Sequence, residues 1–318
     1  MKNLINKYKK YFQNPRHFFL ILCRILLIRV IKFIPDKMFV KIYYRIYTGK
    51  KLNLENPKTF NEKLQWLKIY DRKPEYTQMV DKYEVKRFVA EKVGEKYVIP
   101  LLGVWDSYDE IDFDKLPNKF VLKCTHAGGV VICRDKERFD LMSREGIILN
   151  MNFAKKMLSK QLKQNYFYGG RTWAYKNVKP RIIAEQYIED ESEQILRDYK
   201  VFTFNGKPQL IQVHFSKDNN HKANFYSTDW IFQEFWIKEP NDQNHYIEKP
   251  KCLDEILRIA EILAQGTYHL RVDFYCPNDQ LYFGELTFHN WSGTGKFTPE
   301  SYNEILGSWI NLPEKNKK

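Results

Sequence analysis

Apolar positions change their spacing along this chain, and the changes mark its organisation. Residues 18–34 are almost continuously apolar but carry Arg24, Arg29 and Lys32. At 100° per residue these three fall in one sector about 140° wide, with Leu20, Leu27, Ile31 and Ile34 outside it, which predicts an amphipathic helix lying in an interface. Three basic groups, each costing roughly 2.5–3.5 kcal/mol at mid-bilayer, disfavour a membrane span. The same arginines, with no small-x-small site after them, disfavour a signal peptide. Helical spacing continues beyond. Thr59 and Glu62 make a capping box ahead of Phe60, Leu64 and Leu67, and a second helix is predicted over 77–93 from Val80, Tyr83, Phe88 and Val89, stopped by Gly94.

From residue 98 the spacing becomes that of strands, predicted at 98–105, 119–124 and 130–134. A helix is expected over 144–163 and a continuously apolar strand over 181–188. Strands 198–204 and 208–215 flank Asn205-Gly206, the strongest two-residue hairpin signal. A helix near 253–265 precedes a second hairpin, 270–276 and 281–288, across Pro277-Asn278-Asp279. This order is α+β with antiparallel sheets.

The 318 residues are 43% hydrophobic, enough for a real core and about two domains at ~150 residues each. A net charge of +13 suggests nucleic acid until it is mapped. Residues 1–51 hold thirteen Lys or Arg against Asp36 alone, a net of +12, and the remaining 267 residues carry +1. A body without a basic face excludes nucleic acid as a partner. The basic segment, with Lys7, Lys9, Lys10, Lys37 and Lys41 flanking the apolar run, suits an anionic membrane surface, or else packing on the body or a partner. Cys23, Cys124, Cys133, Cys252 and Cys276 show no CxxC pair and read as reduced thiols of a cytosolic protein.

Candidate chemistry concentrates near the C-terminus. Alternation sends Arg271, Asp273 and Tyr275 to one strand face, and the hairpin returns Glu285 towards Asp273. Two carboxylates so placed suit a hard cation that completes its shell with water and phosphate, although an ordinary surface ion pair would look the same.

The phrases Leu122-Lys123-Cys124-Thr125-His126-Ala127-Gly128-Gly129, Ala184-Glu185-Gln186-Tyr187-Ile188, Asp198-Tyr199-Lys200, Arg271-Val272-Asp273 and Gly284-Glu285-Leu286-Thr287-Phe288, in that order, resemble ATP-grasp enzymes. With residues 56–66, Asp81-Lys82-Tyr83 and Phe297-Thr298-Pro299, the chain resembles the TupA-like ATP-grasp group, named from teichuronopeptide biosynthesis, over roughly residues 50–312. The resemblance implies an α+β ATP-grasp fold in which two α+β subdomains with antiparallel sheets clamp ATP. Residues 1–48 would be the membrane-associating segment, 49–115 a mostly helical region, and 116–188 and 189–318 the two subdomains.

It further implies an ATP-dependent carboxylate–amine ligase working through an acylphosphate. Lys123 would contact the nucleotide phosphates, with Thr125, His126, Gly128 and Gly129 in the loop closing over them. Glu185, Tyr187 and Ile188 would hold adenine, Asp198 would belong to the nucleotide site, and Asp190, Glu191 or Glu193 would reach the ribose. Lys200 would be a second phosphate-facing base and Arg271 would face the transferring phosphoryl group. Asp273 and Glu285 would hold two Mg²⁺. Many relatives place Asn where this chain has Thr287, so Asn290 or His289 substitutes as third ligand, or the second metal site is weaker; Asn290 is carried forward with the two carboxylates. For the acceptor, His214, Lys217, Lys222 and Trp230 are candidates.

The family's association with capsule, teichuronopeptide and lipopolysaccharide-type polymers implies a sugar or amino acid on a surface-glycan precursor as substrate, at the cytoplasmic face of the membrane. Asp112-Phe113-Asp114 leaves open a glycosyltransferase with a metal-bound nucleotide sugar. A non-catalytic scaffold would have no reason to gather Lys123, Arg271, Asp273 and Glu285.

Overall fold

The computed structural model describes residues 32–313 apart from 139, 144–147, 190–195 and 216–221. The interfacial helix expected over 18–34 therefore falls, up to residue 31, outside the described residues, as do Asp190, Glu191, Glu193 and Lys217. The chain divides into two compact units, residues 1–53 and 54–318. In the first, helix α1 (Asp36–Thr48) buries Phe39, Val40 and Tyr44 and ends at Gly49, whose left-handed φ of 73° lets its N–H reach the Arg45 carbonyl. Met38, Ile42 and Ile46 lie exposed along one line of α1, with Lys41 and Arg45 beside them. Among the described residues no helix is long and apolar enough to cross a membrane.

The second unit begins with helix α2 (Phe60–Tyr70), closed by the expected capping box of Thr59 and Glu62. The single helix expected over 77–93 is instead two, α3 (Glu75–Val80) and α4 (Glu84–Val93). Asp81 breaks it: its Oδ1 accepts the backbone N–H groups of Tyr83 at 2.9 Å and Glu84 at 3.3 Å, replacing helical carbonyls with a side-chain cap.

Six strands form the first sheet: β1 (Leu101–Trp105), β2 (Phe120–Cys124), β3 (Val130–Asp135), β4 (Asp140–Ser143), β5 (Ile148–Leu149) and β6 (Ile182–Gln186), in the order β1-β6-β2-β3-β4-β5. Thus β1, from the span expected to be mostly helical, joins the first sheet. β6 inserts between β1 and β2, antiparallel to both. The helix expected from residue 144 starts only at Met151, because β5 intervenes and Asn150 caps α5 (Met151–Leu162) by accepting the Phe153 N–H at 2.8 Å. A short turn of helix, α6 (Phe167–Gly170), follows. The sheet packs its inner face, including Leu122, Cys124, Val131, Ile182 and Ala184, on Ala154 and Leu158 of α5.

The second sheet has the order β10-β9-β8-β7-β12-β13. Its strands are β7 (Asp198–Phe204), β8 (Lys207–His214), β9 (Ala223–Ser227), β10 (Phe232–Gln233), β12 (His269–Tyr275) and β13 (Tyr282–Thr287), all antiparallel to their neighbours. Asn205 and Gly206, at φ 50° and 81°, make the predicted β7–β8 turn. Helix α7 (Leu253–Ala264) buries Ile256, Ile259, Ala260 and Leu263 with Val201, Ile211, Leu270 and Val272 of this sheet. The short strands β11 (Trp236–Ile237) and β14 (Phe297–Thr298) pair with each other, and α8 (Ser301–Ser308) ends the described chain.

The cysteines depart from expectation. Cys252, ahead of α7, is disulfide-bonded to Cys276, just past β12. Packing of α7 over the strand brings together two positions that the sequence separates by 24 residues. Cys124 and Cys133 are buried free thiols, raised by burial to about 12 and about 11.

Candidate functional site

Two charged clusters occupy the sheets. In the first sheet Glu185 stands opposite Val121 in the β2–β6 register, so Lys123, two residues on, shares its face. Lys123 closes on Glu185, and Lys86 of α4 reaches the same carboxylate at 2.7 Å while donating to the Ile99 carbonyl at 2.8 Å. Burial alone would raise the Glu185 carboxyl; Lys123 and Lys86 reverse this and hold it below the usual carboxylate range.

The loop after β2 is anchored before it opens. Thr125 is buried, its hydroxyl donating to the Lys179 carbonyl at 2.9 Å and accepting the Arg181 N–H at 3.1 Å. His126 is also buried, with Nε2 3.0 Å from the Gln161 carbonyl, and burial lowers its affinity for a second proton. Gly128 is exposed with open space on its Cβ side, and Gly129 lies against the Gln161 side chain. The open part of this loop is therefore at Gly128. Tyr187 lies 5.9 Å under the Lys119 ammonium, half-buried beside Ile188.

The second sheet builds its cluster by register. Asp273 is opposite Glu285 on one side and Lys200 on the other, and Arg271 is opposite Thr287. Arg271 grips Asp273 in a two-pronged contact, 2.6 Å from each oxygen, and reaches Glu285 at 3.0 Å and the Thr287 hydroxyl at 3.1 Å. Lys200 pairs with Asp198 and lies 2.8 Å from Asp273. Burial works to raise the Asp273 carboxyl, against Arg271 and Lys200.

Among the described residues no group of three or more His, Cys, Asp or Glu is arranged to hold a metal alone. The Asp273–Glu285 pair fits instead a cation such as Mg²⁺ that keeps water and shares phosphate oxygens.

Asn290, expected as the third ligand, has its amide oxygen buried without a hydrogen-bond partner. Asn290 is fully buried and donates Nδ2–H to His269 Nε2 at 3.3 Å. His269 Nδ1 lies 2.8 Å from the Thr203 carbonyl, so a neutral ring satisfies both contacts, and burial pushes its pKa down to about 3. Thr287 is the residue brought to the carboxylates, its Oγ1 3.4 Å from Glu285 Oε1. The chain then turns through three left-handed residues, Trp291, Ser292 and Gly293, at φ 46°, 54° and 65°. Lys68 of α2 holds this turn, donating to the Ser292 carbonyl and hydroxyl and to the Gly170 carbonyl, each at 2.8 Å.

Lys82, in the break between α3 and α4, links the clusters: its Nζ donates to the Ala127 carbonyl at 3.1 Å and lies 3.9 Å from Glu285 Oε2. The glycine loop of one sheet and the carboxylate of the other thus face a common ammonium.

A family model described as TupA-like ATP-grasp matches residues 62–311. The chain belongs to this family. Its two antiparallel sheets are those of an ATP-grasp fold, as the sequence phrases implied. Among solved structures, this ATP-grasp chain is similar to an L-amino acid ligase from Bacillus licheniformis, at 13% identity and TM-score 0.44 over 81% of this chain and 57% of that one. It is also similar to the D-alanine–D-alanine ligase of Bacillus anthracis complexed with ATP, at 15% identity and TM-score 0.36 over 66% and 53%. A third is N5-carboxyaminoimidazole synthetase from Staphylococcus aureus complexed with ADP, at 13% and 0.35 over 74% and 52%. The chain spans about half the length of each. No curated protein matches it.

Of the described acceptor candidates of this ATP-grasp chain, Trp230 and Lys222 make their contacts outside the two clusters, whereas His214 stands opposite Asp198 of the second. Trp230 donates to the Ile247 carbonyl at 3.0 Å and stacks on Tyr226 at 4.5 Å, a packing role, and Lys222 pairs with Asp242 at 2.6 Å. His214 ends β8 opposite Ala223 on one side and Asp198 on the other. Asp112 of the Asp112-Phe113-Asp114 triplet caps a short turn, accepting the Asp114 N–H at 3.2 Å, and pairs with Lys115 at 3.0 Å. The sequence reading gave Lys86 no role and met Lys82 only within the Asp81-Lys82-Tyr83 phrase. The signal for both was an Asp inside a helical pattern, which marks a break as readily as a polar helix face.

Proposed function

We propose that this chain is an ATP-dependent carboxylate–amine ligase. The observation that carries the reading is the Arg271–Asp273–Glu285–Lys200 cluster set against the glycine loop through Lys82. An arginine between two carboxylates supplies a permanent cation for the transferring group and oxygen ligands for a divalent metal. Lys123 and Lys86 around Glu185 supply the cationic surplus that a triphosphate needs.

In this reading a carboxylate oxygen of the acceptor bonds to the γ-phosphorus as its bond to the β–γ bridging oxygen breaks, giving an acylphosphate and ADP. The amine then attacks the acyl carbon, phosphate leaves, and the amine loses a proton. Arg271 and Lys200 orient and neutralise the anionic oxygens, and the glycine loop excludes water. Asp273 and Glu285 would hold Mg²⁺, which would supply charge neutralisation to the phosphates.

The finer part of the proposal is a substrate on a cell-envelope polysaccharide precursor, a sugar or amino acid bearing the carboxylate or the amine. It is joined by peripheral attachment to an anionic membrane surface. Support comes from the family's association with such polymers, the +12 charge of residues 1–51 and the Met38, Ile42, Ile46 line of α1 beside Lys41 and Arg45.

The test is incubation of the full chain with ATP, Mg²⁺ and panels of acids, with hydroxylamine as trapping amine. Hydroxamate and ADP forming together are expected, and neither without Mg²⁺. Release of a nucleoside diphosphate from a sugar donor, unaffected by Asp273→Asn, would overturn the reading. For the membrane, flotation with phosphatidylglycerol vesicles should retain the full chain and lose one lacking residues 1–48.

A further inference from the structure

Lys82 is placed with more care than a surface lysine requires. Its backbone N–H donates to the Thr125 carbonyl at 3.0 Å, at the root of the glycine loop. On one side Asp81 is fixed by Arg181 at 3.0 Å; on the other the Tyr83 ring lies 4.3 Å under the same guanidinium. Arg181 in turn is tied to Thr125, whose N–H donates to the Arg181 carbonyl at 2.9 Å. The break in the helix is thus locked to the end of β2, and the lysine stem points from it between the sheets. Its ammonium is largely buried, 3.1 Å from the Ala127 carbonyl and 3.9 Å from Glu285 Oε2.

Those two neighbours bracket one position. A glycine loop covers phosphates through its backbone N–H groups. A carboxylate that would hold Mg²⁺ for phosphoryl transfer would lie near the terminal phosphate. A cation between loop and carboxylate therefore stands at the far end of the triphosphate, where the charge of the terminal group is greatest.

Resting on the ligase reading above, we propose that Lys82 is a further catalytic residue: its ammonium binds the terminal phosphoryl oxygens of the nucleotide and so distinguishes a triphosphate from a diphosphate. This cation comes from the helical region ahead of the sheets. A compact ammonium on a flexible stem suits the task, since it can follow the phosphoryl group as it moves to the acceptor.

The experiment compares the affinities of the full chain for MgADP and for the magnesium complex of β,γ-imido-ATP, which does not turn over, by titration calorimetry. Lys82→Met is expected to weaken the triphosphate analogue about tenfold, close to 1.4 kcal/mol, and MgADP less than twofold. Lys82→Arg is expected to recover most of the triphosphate preference. Thermal unfolding checks that each variant is folded; should Lys82→Met not fold, Lys82→Gln, which can still donate to the Ala127 carbonyl, carries the same comparison. A folded charge-free variant that keeps its full triphosphate preference overturns the inference while leaving the ligase reading intact. An unaltered chain that binds neither nucleotide overturns both.

Discussion

Glu185 in the first sheet and Asp273 in the second are both buried carboxylates held between two cations, yet one is a lone acid and the other has acidic neighbours. Glu185 is the single acid facing Lys86 and Lys123 in their contacts. Around Asp273, Arg271 and Lys200 share three acids, Asp198, Asp273 and Glu285, and Lys82 approaches the last of these at 3.9 Å. A lone acid between two ammonium groups leaves cationic charge for anionic oxygens; neighbouring carboxylates can share a metal cation. In the proposed ligase this pairing chemistry, divided unequally between two sheets, would give one wall for phosphates and another for the ion that escorts them. Each cluster stays soluble in the protein interior because its partners hold one another until a ligand arrives.

The largest effect should come from breaking the acidic side. Asp273→Asn removes the charge shared by Arg271 and Lys200 and half of the carboxylate pair, and ADP and hydroxamate formation should fall by roughly 10²–10³ or more, a loss typical of removing one preorganised charge. Turnover near the unaltered rate would sink the metal assignment. On the basic side the main loss should be in stability. Glu185→Gln leaves Lys86 and Lys123 without their counter-charge and should cost about 3–5 kcal/mol, read from urea unfolding.

A pH series sharpens the same contrast. The Glu185 carboxyl is held below its ordinary value of 4.5 in the folded chain, so its contribution is fully present above that value. It is lost as pH falls through the lower folded value. Glu185→Gln should therefore lose less stability on acidification than the unaltered chain; identical acid limbs would show that the two lysines do not stabilise the charge. Smallest is the loop. A Cβ at position 129 would meet the Gln161 amide at 1.8 Å, but that is the end of a flexible side chain. Gly129→Ala should cost no more than about 0.5 kcal/mol, visible chiefly as a weaker nucleotide affinity.

Much of the acidic cluster was legible before any fold was known. Period-two alternation put Arg271 and Asp273 on one face, and a hairpin across Pro277-Asn278-Asp279 had to return Glu285. The strand register places them as expected. Lys123 and Glu185 were singled out separately, but their meeting depends on β6 inserting beside β2 rather than following β3. Asn290 was carried forward as a third ligand from the resemblance; the fold holds its Nδ2–H on His269 with the amide oxygen unpaired, and sets the Thr287 hydroxyl 3.4 Å from Glu285. The placement of Lys82 and Lys86 was hidden by an apolar spacing that continues through the break at Asp81.

The sequence by itself determined the hairpins, the capped helix after Thr59, the charged faces of individual strands and, through the order of its phrases, the family. These follow from interactions between near neighbours along the chain. Only the tertiary structure decided strand order, the split of 77–93 into two helices, the Cys252–Cys276 pair and the meeting of Lys82 with both Ala127 and Glu285. Each of these joins residues far apart in sequence, and which distant groups meet is set by how whole sheets and helices bury their apolar faces, a quantity no local pattern contains.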